Sequence, residues 1–209
     1  MHLHRLASGG VPRAIRSAPL ALVCLLAAPN ATWAQAAGIF SDVRLGVLAH
    51  DPPIIGPQRE HGVDINAETI FVSPVPDDWT AGIAPLYRWM LRPQPNIGFS
   101  ANTSGYTSQI YFGLTWTVDL DNGGYLWPDG AVFFGIGFGP AFNNGHVHST
   151  SNNRLSLGSN VLFHPSLELG YRITPQWSIS AYFEHSSNAG LANDNPGLNN
   201  VGARVGLHF

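Results

Sequence analysis

Charge is what this sequence has least of. Charged residues make up 11% of the 209-residue chain, and Lys and Arg (10) are outnumbered by Asp and Glu (13), for a formal net charge of −3. A nucleic-acid-binding chain carries a basic footprint, and none is present. Cysteine is almost missing as well: the single residue, Cys24, lies inside an apolar N-terminal run. Once that run is set aside, neither a disulfide framework nor a thiol nucleophile is available. No later stretch is long and apolar enough to make a spanning helix, and there are no repeats or low-complexity segments. Glycine (23 residues) and aromatics (11%) are plentiful. The dominant hydrophobic period is two, so any membrane role falls to strands.

The N-terminus carries Arg5, Arg13 and Arg16, an apolar run from Ala18 to Ala28, and small-residue cleavage options at Thr32-Trp33-Ala34 and Ala34-Gln35-Ala36. This predicts a secretory signal peptide over 1–36, cleaved near Ala34 or Ala36. The run falls well short of the roughly 20 apolar residues of a spanning helix. Leu22-Val23 before Cys24 lack the small residues of a lipoprotein site. Residues 37–209 make one domain by length.

The end of the chain is the most informative stretch. Trp177, Ile179, Ala181, Phe183, His185 and Ser187 alternate with Ser178, Ser180, Tyr182, Glu184 and Ser186; Asn199, Val201, Ala203, Val205, Leu207 and Phe209 alternate with Asn200, Gly202, Arg204, Gly206 and His208. Alternate side chains of a strand share a face, so each strand has an apolar face and a wet one. The wet faces are too polar for the core of a soluble sandwich. An apolar exterior around a polar interior is the pattern of a transmembrane barrel.

Spanning strands need about 9 to 11 residues, and eight fit. The expected strands run Phe40 to Ala49 (Val43, Leu45 and Val47 outward), Gly62 to Val72, Asn96 to Asn102, Thr107 to Leu120, Ala131 to Phe142 and Leu157 to Arg172, followed by the terminal pair. The fold class is therefore an all-β, eight-stranded antiparallel barrel of the bacterial outer membrane. Both chain ends fall on the periplasmic side, with loops 50–61, 102–106, 143–156 and 188–198 on the cell exterior. The connection Ser73 to Pro95 is long for a periplasmic turn. Asp77-Asp78 and the stretch Thr80 to Leu91 predict a short amphipathic helix there, with Trp79 and Trp89 at the membrane interface. Arg44, Glu168, Arg172, Glu184 and Arg204 face a lumen that eight strands fill with side chains rather than water. Apolar residues at every second position before Phe209 resemble the C-terminal signal of outer-membrane barrels.

Two polar groups are out of place on the lipid-facing wall. His185 and Ser187 are two apart on a strand, roughly 6 to 7 Å at the backbone. That is within reach for a histidine base to activate a serine hydroxyl. On a lipid-facing surface such groups cost transfer energy without a packing return, which favours a functional reason. His146-x-His148 lacks a third ligand at helpful spacing, His50, His61 and His164 fit loop or lumen positions, and glycines 135, 137 and 139 relieve crowding on an inward face.

Phe183-Glu184-His185-Ser186-Ser187-Asn188-Ala189-Gly190, followed by Asn195-Pro196-Gly197-Leu198-Asn199-Asn200, resembles the PagL family of lipid A 3-O-deacylases. Asn102 to Gln109, with Gly113-Leu114-Thr115-Trp116, is similar to the hairpin between strands three and four of that family. The resemblance implies an outer-membrane serine esterase whose site lies on the outer wall, hydrolysing the 3-O-linked hydroxyacyl ester of lipid A in the outer leaflet without metal or cofactor. Its partner is lipopolysaccharide. It further implies Ser187 as nucleophile, His185 as general base, Asn188 and the Gly190 N–H at the oxyanion hole, and Asn195 in support of the loop. The family pattern has a glutamate 12 residues after the serine, where this chain has Asn199. An asparagine carbonyl can accept the His Nδ1–H but cannot stabilise imidazolium by charge. Asp194 is the alternative orienting group, while Glu184 points into the lumen by parity. The rival readings are a catalytically silent barrel with a structural or adhesion role, and an acyltransferase, which would bury its acyl chain inside the barrel.

Overall fold

The computed structural model describes residues 38–120, 128, 130–149 and 151–209. The expected signal peptide lies outside the described residues. Eight strands, β1 (Phe40–His50), β2 (Val63–Phe71), β3 (Gln94–Asn102), β4 (Gln109–Asp119), β5 (Val132–Asn143), β6 (Val161–Arg172), β7 (Trp177–Ser186) and β8 (Leu198–His208), pair in chain order. Each pair is antiparallel, and β1 closes against β8 from Asp42–His208 to His50–Asn200. Closure leaves no sheet edge with unpaired backbone groups, which is what a strand-built membrane span requires.

Parity places the side chains as the alternation predicts. Leu45, Val47, Ile65, Ile110, Phe138, Leu169 and Val205 are each between 45% and 58% exposed, on the outer wall. Arg44, Asn66, Glu68, Tyr111, Glu168, Tyr182, Glu184 and Arg204 are buried within. The lumen is packed in layers. Arg204 bonds Glu68 (2.8 Å) and Glu168 (2.6 Å) and lies 3.6 Å over the Tyr182 ring, and Arg44 also pairs with Glu168. Nearer the loops, Glu184 accepts from Ser100 (2.6 Å), Gln109 (2.9 Å) and Asn200 (2.7 Å) and bonds His164 (3.1 Å), whose ring stacks on Tyr111. Glycines supply the width: a Cβ at Gly98 would fall 2.5 Å from the Tyr111 ring, and one at Gly170 would strike Phe133. Of the five charged residues expected in the lumen, Arg172 is the exception. It sits at the rim, half-exposed, bonding Asp119 at 2.7 Å.

At the end where β1 begins and β8 finishes, the connection between β2 and β3 is helical, but in pieces. The expected helix over 80–91 is divided into α1 (Asp77–Thr80), α2 (Pro85–Arg88) and a 3-10 turn (Trp89–Leu91). Gly82 and Pro85 account for the interruption. Trp79 is 77% exposed. Trp116 of β4 ties the segment to the wall by donating to the Met90 carbonyl (3.0 Å).

The opposite end carries loop 1 (51–62), loop 2 (103–108), loop 3 (144–160) and loop 4 (187–197), and they are bound to one another. Glu60 of loop 1 accepts the amides of Thr107 in loop 2 (3.0 Å) and Leu155 in loop 3 (3.2 Å) and bonds the His50 imidazole (3.1 Å). Below them Leu155, Leu157, Leu162 and Leu198 form a buried apolar plug. Burying each leucine contributes about 1.5–3 kcal/mol. This corrects the start of strand six: Leu157, an outward position by parity, is 1% exposed. Its amide and that of Gly158 (φ +71°) bond the His146 and Val147 carbonyls, so the chain turns inward before β6 begins.

Candidate active site

The site stands where β7 and β8 meet the loops. His185 and Asn199 are directly opposed across the β7–β8 ladder, so their side chains rise from the same face of the wall. The His185 Nδ1 lies 2.8 Å from Asn199 Oδ1. The other end of the amide settles the tautomer, because Asn199 Nδ2 donates to the Ile55 carbonyl at 3.0 Å. A carbonyl only accepts, so Oδ1 must face the imidazole and Nδ1 must carry the proton. Nε2 is thereby left as a basic lone pair. Among the described residues it has no hydrogen-bond partner. Loop 1 folds over this arrangement, leaving Asn199 1% exposed while His185 is half-buried.

Ser187 is held from the other side. Its amide donates to Phe163 of β6 (3.1 Å) and its carbonyl accepts from the Phe163 amide (2.8 Å), a bridge that extends the sheet one step beyond β7. The side chain shares the outer face with His185. No hydrogen bond joins Ser187 Oγ to the imidazole in the free protein; such bonds commonly tighten only once substrate is in place. Against the bridge lies an open groove of about 390 Å³ lined by Pro140, Val161, Phe163, Leu191 and Ala192, with Asn188 at its polar edge.

After Ser187 the chain makes a tight turn, with Leu191 N–H bonding the Asn188 carbonyl (3.0 Å) and both central residues left-handed, Ala189 at φ +55° and Gly190 at φ +79°. Alanine in that conformation costs about 1–2 kcal/mol. The loop supports the cost with Asn188, whose Nδ2 donates to the carbonyls of Leu157 (2.9 Å) and Asp194 (2.5 Å) and whose amide donates to Asn195 Oδ1 (3.0 Å). The Gly190 N–H donates to Asn188 Oδ1 (2.9 Å). In the free protein, then, both donors expected at the oxyanion hole are engaged within the loop. Asp194 bonds His148 at 2.8 Å, and it is Asn199 that meets His185. Glu184 lies 1% exposed in the lumen, as parity predicts. Among the described residues no group of three or more His, Cys, Asp or Glu is placed to hold a metal.

Two contributors escaped the sequence. The Ile55 carbonyl is a backbone group in a proline-rich loop, without a side-chain signature. The Phe163 bridge was hidden because Ser187 lies one residue past the strand it extends.

Comparisons with known proteins bear on the fold and the family. No curated protein matches the sequence significantly. Among solved structures, the crystal structure of the outer membrane enzyme PagL covers 81% of this chain and all of its own, with a TM-score of 0.56 at 16% identity. Neisserial surface protein A covers 82% of this chain and 97% of its own (TM-score 0.46, 11% identity). The de novo designed barrel TMB2.3 covers 82% and 96% (TM-score 0.42, 10% identity). The profile of the family described as lipid A 3-O-deacylase (PagL) matches residues 79–208, more than half of the chain and all of β3 to β8. The chain belongs to the PagL family of lipid A 3-O-deacylases, barrels of the bacterial outer membrane.

Proposed function

We propose that Ser187, His185 and Asn199 form a serine-esterase triad on the outer wall that hydrolyses the 3-O-linked hydroxyacyl ester of lipid A in the outer leaflet. The observation that carries this reading is the His185–Asn199 hydrogen bond, which leaves Nε2 free on the outer face of the wall that also carries the Ser187 side chain two residues on. In the first step Ser187 Oγ attacks the ester carbonyl and its proton passes to Nε2. The tetrahedral intermediate collapses as Nε2–H protonates the departing 3-oxygen of the sugar, leaving the hydroxyacyl group on Ser187. Water then attacks the acyl-enzyme, its proton goes to Nε2, and a 3-hydroxy fatty acid departs as the serine recovers its proton.

The oxyanion is assigned to the Gly190 N–H, with Asn188 and Asn195 holding the turn that aims it. As substrate binds, the developing oxyanion takes the place of Asn188 Oδ1 on that amide. A donor of this kind contributes about 3–4 kcal/mol to barrier lowering. The apolar groove beside Phe163 supports the reading, since a fatty acyl chain finds in it the surface it needs next to the nucleophile.

Asparagine in place of a carboxylate is tolerable here for a specific reason. Replacing the triad aspartate of a serine protease by asparagine costs about 10⁴ in kcat because the histidine takes the wrong tautomer. The Ile55 carbonyl prevents that outcome by claiming the amide's donor end. Lipid A mass spectrometry provides the test. Expression in a host with unmodified lipid A lowers the lipid's mass by one hydroxyacyl group, and Ser187→Ala abolishes the change. Intact lipid A in the wild-type strain means a silent barrel.

A further inference from the structure

We propose that Gly197 is a positioning residue for His185: its missing side chain forms the slot that holds the imidazole with Nδ1 on Asn199 and Nε2 free. Gly197 is the last residue of loop 4, directly before β8, and has a φ of +72°. A Cβ built on it would lie 2.5 Å from His185 Cε1, 3.2 Å from Nε2 and 3.5 Å from Nδ1. Cε1 is the ring atom between the two nitrogens, so the Gly197 backbone closes off that corner of the ring. With the Asn199 amide fixing Nδ1, this leaves the ring no room to slide toward the loop.

Two demands converge on this position. The left-handed φ disfavours every side chain, and the ring contact leaves no space for one. Some left-handed glycines of the loops meet only the first demand. Gly105, at φ +79°, has nothing within 4 Å of its Cβ direction. The comparison separates backbone strain from ring contact. Asn199 is similarly held by the Ile55 carbonyl, so loops 1 and 4 together form the frame in which the imidazole is seated.

The kinetic part of the inference rests on the esterase reading; the structural part does not. It is tested on the barrel purified in detergent with ¹⁵N-labelled histidine, the His185 signal being identified by its loss in His185→Gln. In the wild type, imidazole nitrogen shifts report the Nδ1–H tautomer. In Gly197→Ala, and in Gly197→Asn, which tolerates a left-handed backbone better and keeps the fold, the ring leaves Asn199 and that tautomer is lost. Gly105→Ala retains it. On lipid A, both Gly197 variants lose about 100-fold in kcat, the usual consequence of misplacing a reacting group by an ångström. KM stays within about twofold, because the ester and its chain still bind. A retained tautomer in Gly197→Asn, or a wild-type kcat in a variant whose tautomer has changed, overturns the inference. A wild-type barrel that is inactive on lipid A while its His185 tautomer responds to Gly197→Asn overturns the esterase reading and leaves the slot standing.

Discussion

Asn199 has two hydrogen bonds with different duties, and substitutions divide them. Asn199→Leu removes both the Nδ1 acceptor and the tie to Ile55, so the imidazole loses its fixed tautomer, and kcat falls by about 10²–10⁴ with KM little changed. Asn199→Asp keeps an acceptor for Nδ1 and adds charge that stabilises imidazolium, but sets a carboxylate oxygen against the Ile55 carbonyl. That variant retains hydrolysis while loop 1 becomes open to protease; steady-state kinetics and limited proteolysis on one preparation check both halves. The outward register of His185, Ser187 and Asn199 was legible from alternation alone, because each lies in or next to a strand whose other residues fix the parity. Whether Asn199 or Asp194 meets His185 was not legible, since loop 4 decides it by giving Asp194 to His148. Ile55 acts through its carbonyl, a group every residue has, so no pattern of residue types could have revealed it.

At the level of elements, Glu60 ties loop 1 to loops 2 and 3, and Asn188 ties loop 4 to the Leu157 carbonyl of loop 3. Burial alone would push the Glu60 carboxyl up, but the His50 imidazole and the Thr107 and Leu155 amides outweigh that and hold it at about 2, against an ordinary 4.5. Asp51 accepts the amide of Glu60 itself, and Arg154 stands 3.9 Å from its carboxylate. A carboxyl with a lowered folded-state pKa stabilises the folded form fully above its unfolded value, and that contribution is lost as pH falls through the folded one. The loops are therefore expected to loosen between pH 4.5 and about 2. Acid-active protease should cut wild-type loops 1 and 3 faster across that window, whereas Glu60→Gln is cut readily at neutral pH with little further change. Loop behaviour of this kind was hidden from the sequence. Leu157 shows why: alternation carried it onto the outer face, but the turn at Gly158 buries it in the plug, and no strand ladder reaches far enough to enforce parity there.

Across the whole molecule, the barrel is legible because a membrane leaves few alternatives: strands must close, and their lipid face must be apolar. The alternation in β4, β5, β7 and β8 follows from that requirement, and the inward charges follow from having no other place. Those charges are mutually dependent. Arg204 lies between Glu68 and Glu168 with its side chain 1% exposed, so Arg204→Met leaves two buried carboxylates short of a partner. Breaking a buried pair on one side costs about 3–5 kcal/mol, to be read from urea unfolding in lipid vesicles, while the outer-wall site keeps its geometry in the protein that remains folded.

Hydrolysis by the proposed triad requires a nucleophilic serine, activated by histidine, on the barrel's outside. An alkyl fluorophosphonate, which labels activated serines, tests this by intact-protein and peptide mass spectrometry on the purified barrel. The expected result is a single adduct on Ser187, absent in Ser187→Ala and strongly reduced in His185→Gln. An unlabelled wild type, or an adduct on another residue that persists in Ser187→Ala, would rule out Ser187 as an activated nucleophile.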